Sequence, residues 1–135
     1  MAKKSQVVMT KAKKKRAVAR ATLRYPGDGS VRINGFALDT IRNKYLRMIV
    51  EEPLILAGDL ASKVSIEVNV HGGGVMGQAV AVRGAIAKAL VAVNEDLRDT
   101  FMQYDRTLLV DDVRRVEPKK PLGRKARAKK QTSYR

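Results

Sequence analysis

The chain has 135 residues, a net charge of +15 at pH 7, one histidine and no cysteine. That length fits one domain able to bury roughly two thirds of its unfolded surface, and the missing cysteines exclude a disulfide framework, a CxxC metal site and thiol catalysis. No apolar span of about 20 residues stands out, so no membrane helix is expected, and the basic N-terminus lacks the apolar core of a signal peptide, which points to an intracellular protein.

The charge is unevenly placed. Residues 1–24 carry nine Lys or Arg and no acid, residues 25–113 carry nine against twelve acids, and residues 114–135 carry ten against Glu117 alone, giving nets of +9, −3 and +9. A mildly acidic body with two strongly basic extensions predicts a polyanion held by arms.

Residues 1–16 include Lys3, Lys4, Lys11, Lys13, Lys14, Lys15 and Arg16. Like charges this dense repel until an anion neutralises them, which predicts a disordered basic arm; the same pattern also serves solubilising tails and nuclear import signals. From residue 17, Ala19, Ala21, Leu23 and Tyr25 alternate with Arg20, Thr22 and Arg24, the period of a strand. Pro26, Gly27, Asp28, Gly29 and Ser30 supply a turn before Val31 and Ile33, so a hairpin is expected. Its outward face carries Arg20, Arg24 and Arg32, a row suited either to phosphates or to solvent.

Asn34 and Gly35 end that hairpin, and Asp39 is placed to cap a helix with Leu38, Ile41, Tyr45, Met48 and Ile49 on its apolar side. Pro53, after Glu51 and Glu52, opens a second short helix closed by Gly58. Both read as structural.

Residues 63–93 organise the chain as strand, glycine turn and helix. Val64, Ile66, Val68 and Val70 share one face of the strand. Beyond Gly72, Gly73 and Gly74 the period becomes helical, with Val82, Ile86, Leu90 and Val93 on one stripe and Ala79, Ala85 and Ala89 beside it, letting the helix approach the sheet closely. Asn94, Glu95 and Asp96 then cap a helix whose Leu97, Phe101 and Tyr104 form a core stripe. A last, uneven strand is expected over residues 108–116, with Asp111 and Asp112 structural or paired with Arg114 and Arg115. Residues 118–135 show no hydrophobic periodicity and are expected to order only on a partner.

Catalytic chemistry finds little support. The glycine run lacks the following Lys and Ser or Thr of a P-loop and is not GxGxxG, so it reads as a tight turn. A compatible function is close approach of an RNA backbone, with Gln78 and Arg83 nearby. His71 has no companion ligand, and no nucleophile, base and orienting acid assemble. No enzyme activity, cofactor, metal or small-molecule substrate is expected. A general nucleic-acid chaperone and a nucleotide-using enzyme built on the glycine turn are the competing classes.

The string HGGGVMGQAVAVRGAIAKA over residues 71–89 resembles the signature of the small-subunit ribosomal protein nine family, and LLVDDVRRVEPKKPLGRKARAKKQTSYR resembles that family's C-terminal extension. The ending Ser133, Tyr134 and Arg135 is similar to the archaeal and eukaryotic branch, and an archaeal-type member is expected. The departure is Pro121, Leu122 and Gly123, where related archaeal sequences often have an aromatic residue followed by glycines.

The resemblance implies one compact α+β domain over residues 17–116, of the split βαβ kind shared with the second domain of ribosomal protein five, between a basic arm (1–16) and an extended basic tail (117–135). It implies a cytoplasmic place in the head of the small subunit, beside neighbouring ribosomal proteins and away from membranes. Ribosomal RNA would be met by Lys11, Lys13, Lys14, Lys15 and Arg16 of the arm, by Arg20 and Arg24, and by Gly72, Gly73, Gly74, Gln78 and Arg83. Further along, Arg114, Arg115, Lys119 and Lys120 would meet it, as would Arg124, Lys125, Arg127, Lys129 and Lys130. Ser133, Tyr134 and Arg135 would reach the anticodon stem-loop of the peptidyl-site tRNA.

Overall fold

The structure is a computed structural model that describes residues 4–131. In chain order it contains strands β1 (Gln6–Lys14), β2 (Ala17–Tyr25), β3 (Val31–Ile33) and β4 (Phe36–Ala37), helix α1 (Lys44–Ala57), strand β5 (Ser65–His71), and helices α2 (Val75–Val93) and α3 (Leu97–Tyr104). The strands make one sheet in the order β1-β2-β5-β3-β4. Helix α2 packs across β1, β2 and β5, and α1 packs on α2. This is the single α+β domain that the sequence predicts.

The expected basic arm begins as part of the sheet. Strand β1 pairs with β2 along its whole length, from Gln6 opposite Tyr25 to Lys14 opposite Ala17. Beneath the lysine pattern runs a second one of period two: Val8, Thr10 and Ala12 turn toward the helices while Lys11 lies exposed, and Ala12 is buried. Burial of that alternate face, with Lys14 paired to Asp112, outweighs the repulsion among the lysines.

The expected β2–β3 hairpin is replaced by a crossing. Strand β5 lies between the two, antiparallel to β2 and parallel to β3. The segment after β2 passes the start of β5, where the Gly27 amide donates to Lys63 O at 2.7 Å, the Gly29 amide to Val64 O at 2.9 Å, and the Ile66 amide to Ser30 O at 2.9 Å. Parallel β3 and β5 then need a crossover, and α1 supplies it. The tight hairpin instead joins β3 to β4 through Asn34 and Gly35, whose φ of 52° and 84° suit a two-residue turn of the I′ kind. The Asn34 side chain brackets Val70, donating to its carbonyl at 3.1 Å and accepting from its amide at 2.9 Å.

Helix α1 unites the two helices expected around Pro53. Asn43 caps it by accepting from the Tyr45 amide at 3.0 Å, while Asp39 sits in a separate single turn, Leu38–Thr40. Pro53 removes one backbone hydrogen bond, yet it and Val50 are the buried residues of the helix, so packing on α2 carries the helix through. Tyr45 and Met48, expected inside, are exposed.

Helix α2 has the length and mean hydropathy, 1.4, of a membrane span. It is nevertheless the core helix of the domain. Residues from Ala79 to Leu90 are almost continuously buried, because the sheet covers one side and α1 the other. A Cβ at Gly84 would stand 3.2 Å from Ala12 Cβ, and Thr10 Oγ1 donates to Ala85 O at 2.8 Å, so helix and sheet backbones nearly touch. Phe101 of α3 and Leu108 of the following turn, Arg106–Leu108, close the core, whereas Tyr104 is exposed. The strand expected over residues 108–116 is not formed; beyond that turn the chain is irregular.

Removing residues 1–14 therefore strips an edge strand from α2, and the melting temperature is expected to fall by at least about 10 °C, equivalent to ~2 kcal/mol. Ending the chain at Glu117 is expected to leave it within about 2 °C of the full-length value, as measured by circular dichroism.

Candidate nucleic-acid interface

The glycine turn is shaped by what it must pass. Gly72 and Gly73 adopt φ of 77° and 63°, and a Cβ on Gly72 would lie 2.4 Å from Arg16 O. Only glycine allows both that backbone and that approach. The turn is consequently pressed against the connection between β1 and β2, where Lys15 and Arg16 are exposed. Gln78 reaches back to it, its Nε2 donating to Gly72 O at 3.0 Å. Gln78 thus serves the turn.

The face of the sheet opposite the helices carries a second group of cations. Across the ladder Lys11 stands beside Arg20 and Arg20 beside Asn69, Lys13 beside Val18 and Val18 beside His71, and Arg24 beside Ser65. Arg32 lies opposite Glu67, the acid of that ladder. Arg20 and Arg24 are exposed and, among the described residues, have no carboxylate partner.

Arg83 departs from its expected role. It points inward from α2, is 8% exposed, and its Nη2 lies 2.8 Å from Asp105 Oδ2 and 2.7 Å from Glu52 Oε2. The Asp105 contact is a hydrogen bond, whereas the Glu52 contact is an ion pair whose angles fall short of one. Arg83 thereby ties α2 to α1 and to the chain after α3. A guanidinium held by two carboxylates is poorly placed to serve phosphate, and the signal in the sequence was its position on a helical turn otherwise occupied by core residues.

The root of the tail is held by a pair of carboxylates. Asp112 accepts from Lys14 Nζ and, at 2.7 Å, from Arg114 Nη2; Asp111 accepts from Lys88 Nζ at 2.7 Å. Arg114 first, then Lys14, hold the Asp112 carboxyl well below the usual carboxylate range. The Arg114 pairing matches expectation, while Lys14 and Lys88 were not foreseen, because sequence distances of 98 and 23 residues hide them. Through these contacts the tail leaves beside Lys15 and Arg16, and Arg115 and Val116 line a small hollow with those two residues.

Further out, Glu117 pairs with Lys120 at 2.9 Å and with Arg127 at 2.9 Å, and Gly123 bridges Lys129 in a short antiparallel contact. Lys119, Arg124, Lys125, Lys129 and Lys130 are exposed with no ion pair among the described residues. Ser133, Tyr134 and Arg135 lie outside the described residues. No group of His, Cys, Asp and Glu among the described residues is arranged to hold a metal ion.

Two consequences are measurable. Hydrogen bonding to Arg83 lowers Asp105 from its usual 3.8 to about 2. A carboxylate depressed on folding stabilises the fold above its unfolded pKa, and that contribution is lost as pH falls from 3.8 toward 2. The melting temperature is expected to drop across this window, and Asp105→Asn to flatten the drop. Arg83→Ala is expected to cost about 2 kcal/mol in denaturant unfolding, below the 3–5 typical of fully buried pairs, since both carboxylates stay partly exposed.

Comparison with known proteins accords with this geometry. The family model for ribosomal protein S9/S16 matches residues 12–135. The small ribosomal subunit protein uS9 of Pyrobaculum aerophilum is 52% identical over 132 residues, covering 96% of this chain and 92% of that protein. Two uS9 proteins from strains of Methanococcus maripaludis are 45% and 44% identical over 134 residues, each covering 96% of this chain and 99% of theirs. The basic tail, the glycine turn and the core helix all fall inside the matched region, and the chain belongs to the ribosomal protein S9/S16 family.

Proposed function

We propose that this chain is a structural component of the small ribosomal subunit, in the cytoplasm, that binds ribosomal RNA in the subunit head and carries its tail toward the peptidyl-site tRNA. The observation that supports it best is how the charges are spent. The body's acids Glu52, Asp105, Asp111 and Asp112 are engaged with Arg83, Lys88, Lys14 and Arg114. Lys11, Lys13, Arg20 and Arg24 on the sheet face, Lys15 and Arg16 at the β1–β2 turn, and Lys119, Arg124, Lys125, Lys129 and Lys130 along the tail have no ion pair among the described residues, so a polyanion can supply the missing counter-charge there.

Lys11, Lys13, Arg20 and Arg24 would meet RNA phosphates from the sheet, Lys15 and Arg16 from the turn, and Arg115, Lys119, Arg124, Lys125, Lys129 and Lys130 from the tail, joined by Lys120 once RNA displaces Glu117. Arginine's planar fork holds phosphate bidentately, and an irregular basic segment enters cavities of folded RNA that a globular body cannot. Arg135, with Tyr134 and Ser133 beside it, would end at the anticodon stem-loop. The work is assembly and positioning, without catalysis, among neighbouring proteins of the head.

Subunits reconstituted with Arg135→Ala are expected to sediment normally but to hold peptidyl-site tRNA about tenfold more weakly, the loss of one charge-assisted hydrogen-bond pair. Equal tRNA affinity in filter binding would remove the tail from this role. Wild-type protein is expected to prefer small-subunit RNA over random RNA at equal salt; indifference would favour a general nucleic-acid chaperone.

A further inference from the structure

Gly72 and Gly73 are accounted for by the fold, but Gly74 is not. Its φ of −103° is open to any residue, and a Cβ there would have nothing within 4 Å. It is the N-cap of α2, a position that Ser, Thr or Asn fill at least as well, yet no side chain caps this helix start. The space that a side chain would take is part of a cavity of about 450 Å³, lined by Gly73, Gly74, Met76, Gly77, Val80 and Val116 together with Lys14, Lys15 and Arg16. Such a volume lies within the range of about 300–1,000 Å³ typical of small-ligand sites.

The lining has two parts. Met76, Val80, Val116 and the glycine backbone give it apolar lining, and Lys14, Lys15 and Arg16 line it as well, with no acid among the lining residues. Lys14 is engaged by Asp112, but Lys15 and Arg16 have no carboxylate partner among the described residues, and Arg115 joins them in the adjoining hollow. The first amides of α2 lack intrahelical acceptors and face this end of the helix. A flat apolar body carrying anionic groups fits such a site. In a paired RNA helix the bases are covered, whereas an unpaired base is splayed out and free to enter a protein pocket.

We propose that this cavity receives one unpaired nucleobase of ribosomal RNA, with the flanking phosphates held by Lys15, Arg16 and Arg115. This rests on the RNA-binding reading above and adds to it a single point of base insertion. The site is completed by the tail: Val116 is one wall of the cavity and is brought there by the Asp112 clamp on Lys14 and Arg114. A Cβ at Gly74 meets nothing within 4 Å, so a larger side chain there would occupy the site.

The test uses the full chain, a short single strand of small-subunit RNA carrying aminopurine at an unpaired position, and a duplex of the same sequence. Binding of the single strand is expected to brighten the aminopurine as it unstacks. Gly74→Leu is expected to abolish the brightening and weaken the single strand about tenfold, the order of burying one apolar face of a base, with duplex affinity unchanged and a melting temperature only about 2–4 °C lower, since leucine caps a helix less well than glycine. Val116→Ser, at a site 82% exposed, gives a second variant that folds independently of the first and is expected to shift the same readouts in the same direction. Unchanged brightening in both variants, or equal losses for single strand and duplex, overturns base insertion. Wild-type binding to both RNAs without brightening overturns it while leaving RNA binding intact, and failure of the wild type to bind either RNA overturns the broader reading as well.

Discussion

The structure depends on how closely α2 lies on the sheet. Ala12, Ala17, Ala19 and Ala21 face Ala81, Gly84 and Ala85 within one buried cluster, and the side chains between the layers are among the smallest available. Backbones this near gain dispersion contacts along the whole helix and leave little room for error, since one added methylene overpacks such an interface. The larger residues Leu23, Ile66, Val68, Ile86 and Leu90 fill the sides, and Phe101 and Leu108 seal the end. The glycine turn follows from the same constraint, because a strand and a helix so close together can be joined only by backbone that passes hard against Arg16.

Electrostatics is layered on this core by a few ion pairs. Four carboxylates on the helix side and at the root of the tail hold elements together: Glu52 and Asp105 through Arg83, Asp111 through Lys88, Asp112 through Lys14 and Arg114. Most of these pairs are partly exposed and contribute modestly to stability one by one. Their larger effect is on geometry, since they fix where the basic tail departs relative to the basic turn. The positive surplus lies in residues 1–24 and 114–135.

Period two and period 3.6 made β2, β5 and α2 legible, and the Ala-rich stripe announced a close helix–sheet contact. Strand β1 was hidden because its lysines dominate the pattern, although Val8, Thr10 and Ala12 keep the alternation beneath them. The sequence pattern suggests a β2–β3 hairpin because a turn-rich segment looks the same whether it reverses the chain or carries it past β5; only the amide bonds of Gly27 and Gly29 to residues 63 and 64 decide it. Asn34 and Gly35, read as an ending, were the true hairpin signal. Of the candidate site, the exposed basic residues were visible by composition, whereas the burial of Arg83 and the clamps on Asp111 and Asp112 arise from contacts across long sequence distances.

Strand β1 ends the sheet on one side, so one row of its backbone donors and acceptors has no strand to pair with. An open edge of nine residues invites a second chain to add itself. Lys11 and Lys13 on that strand set two approaching copies against each other by like charge. Positive charge on the edge strand thus opposes stacking of copies edge to edge.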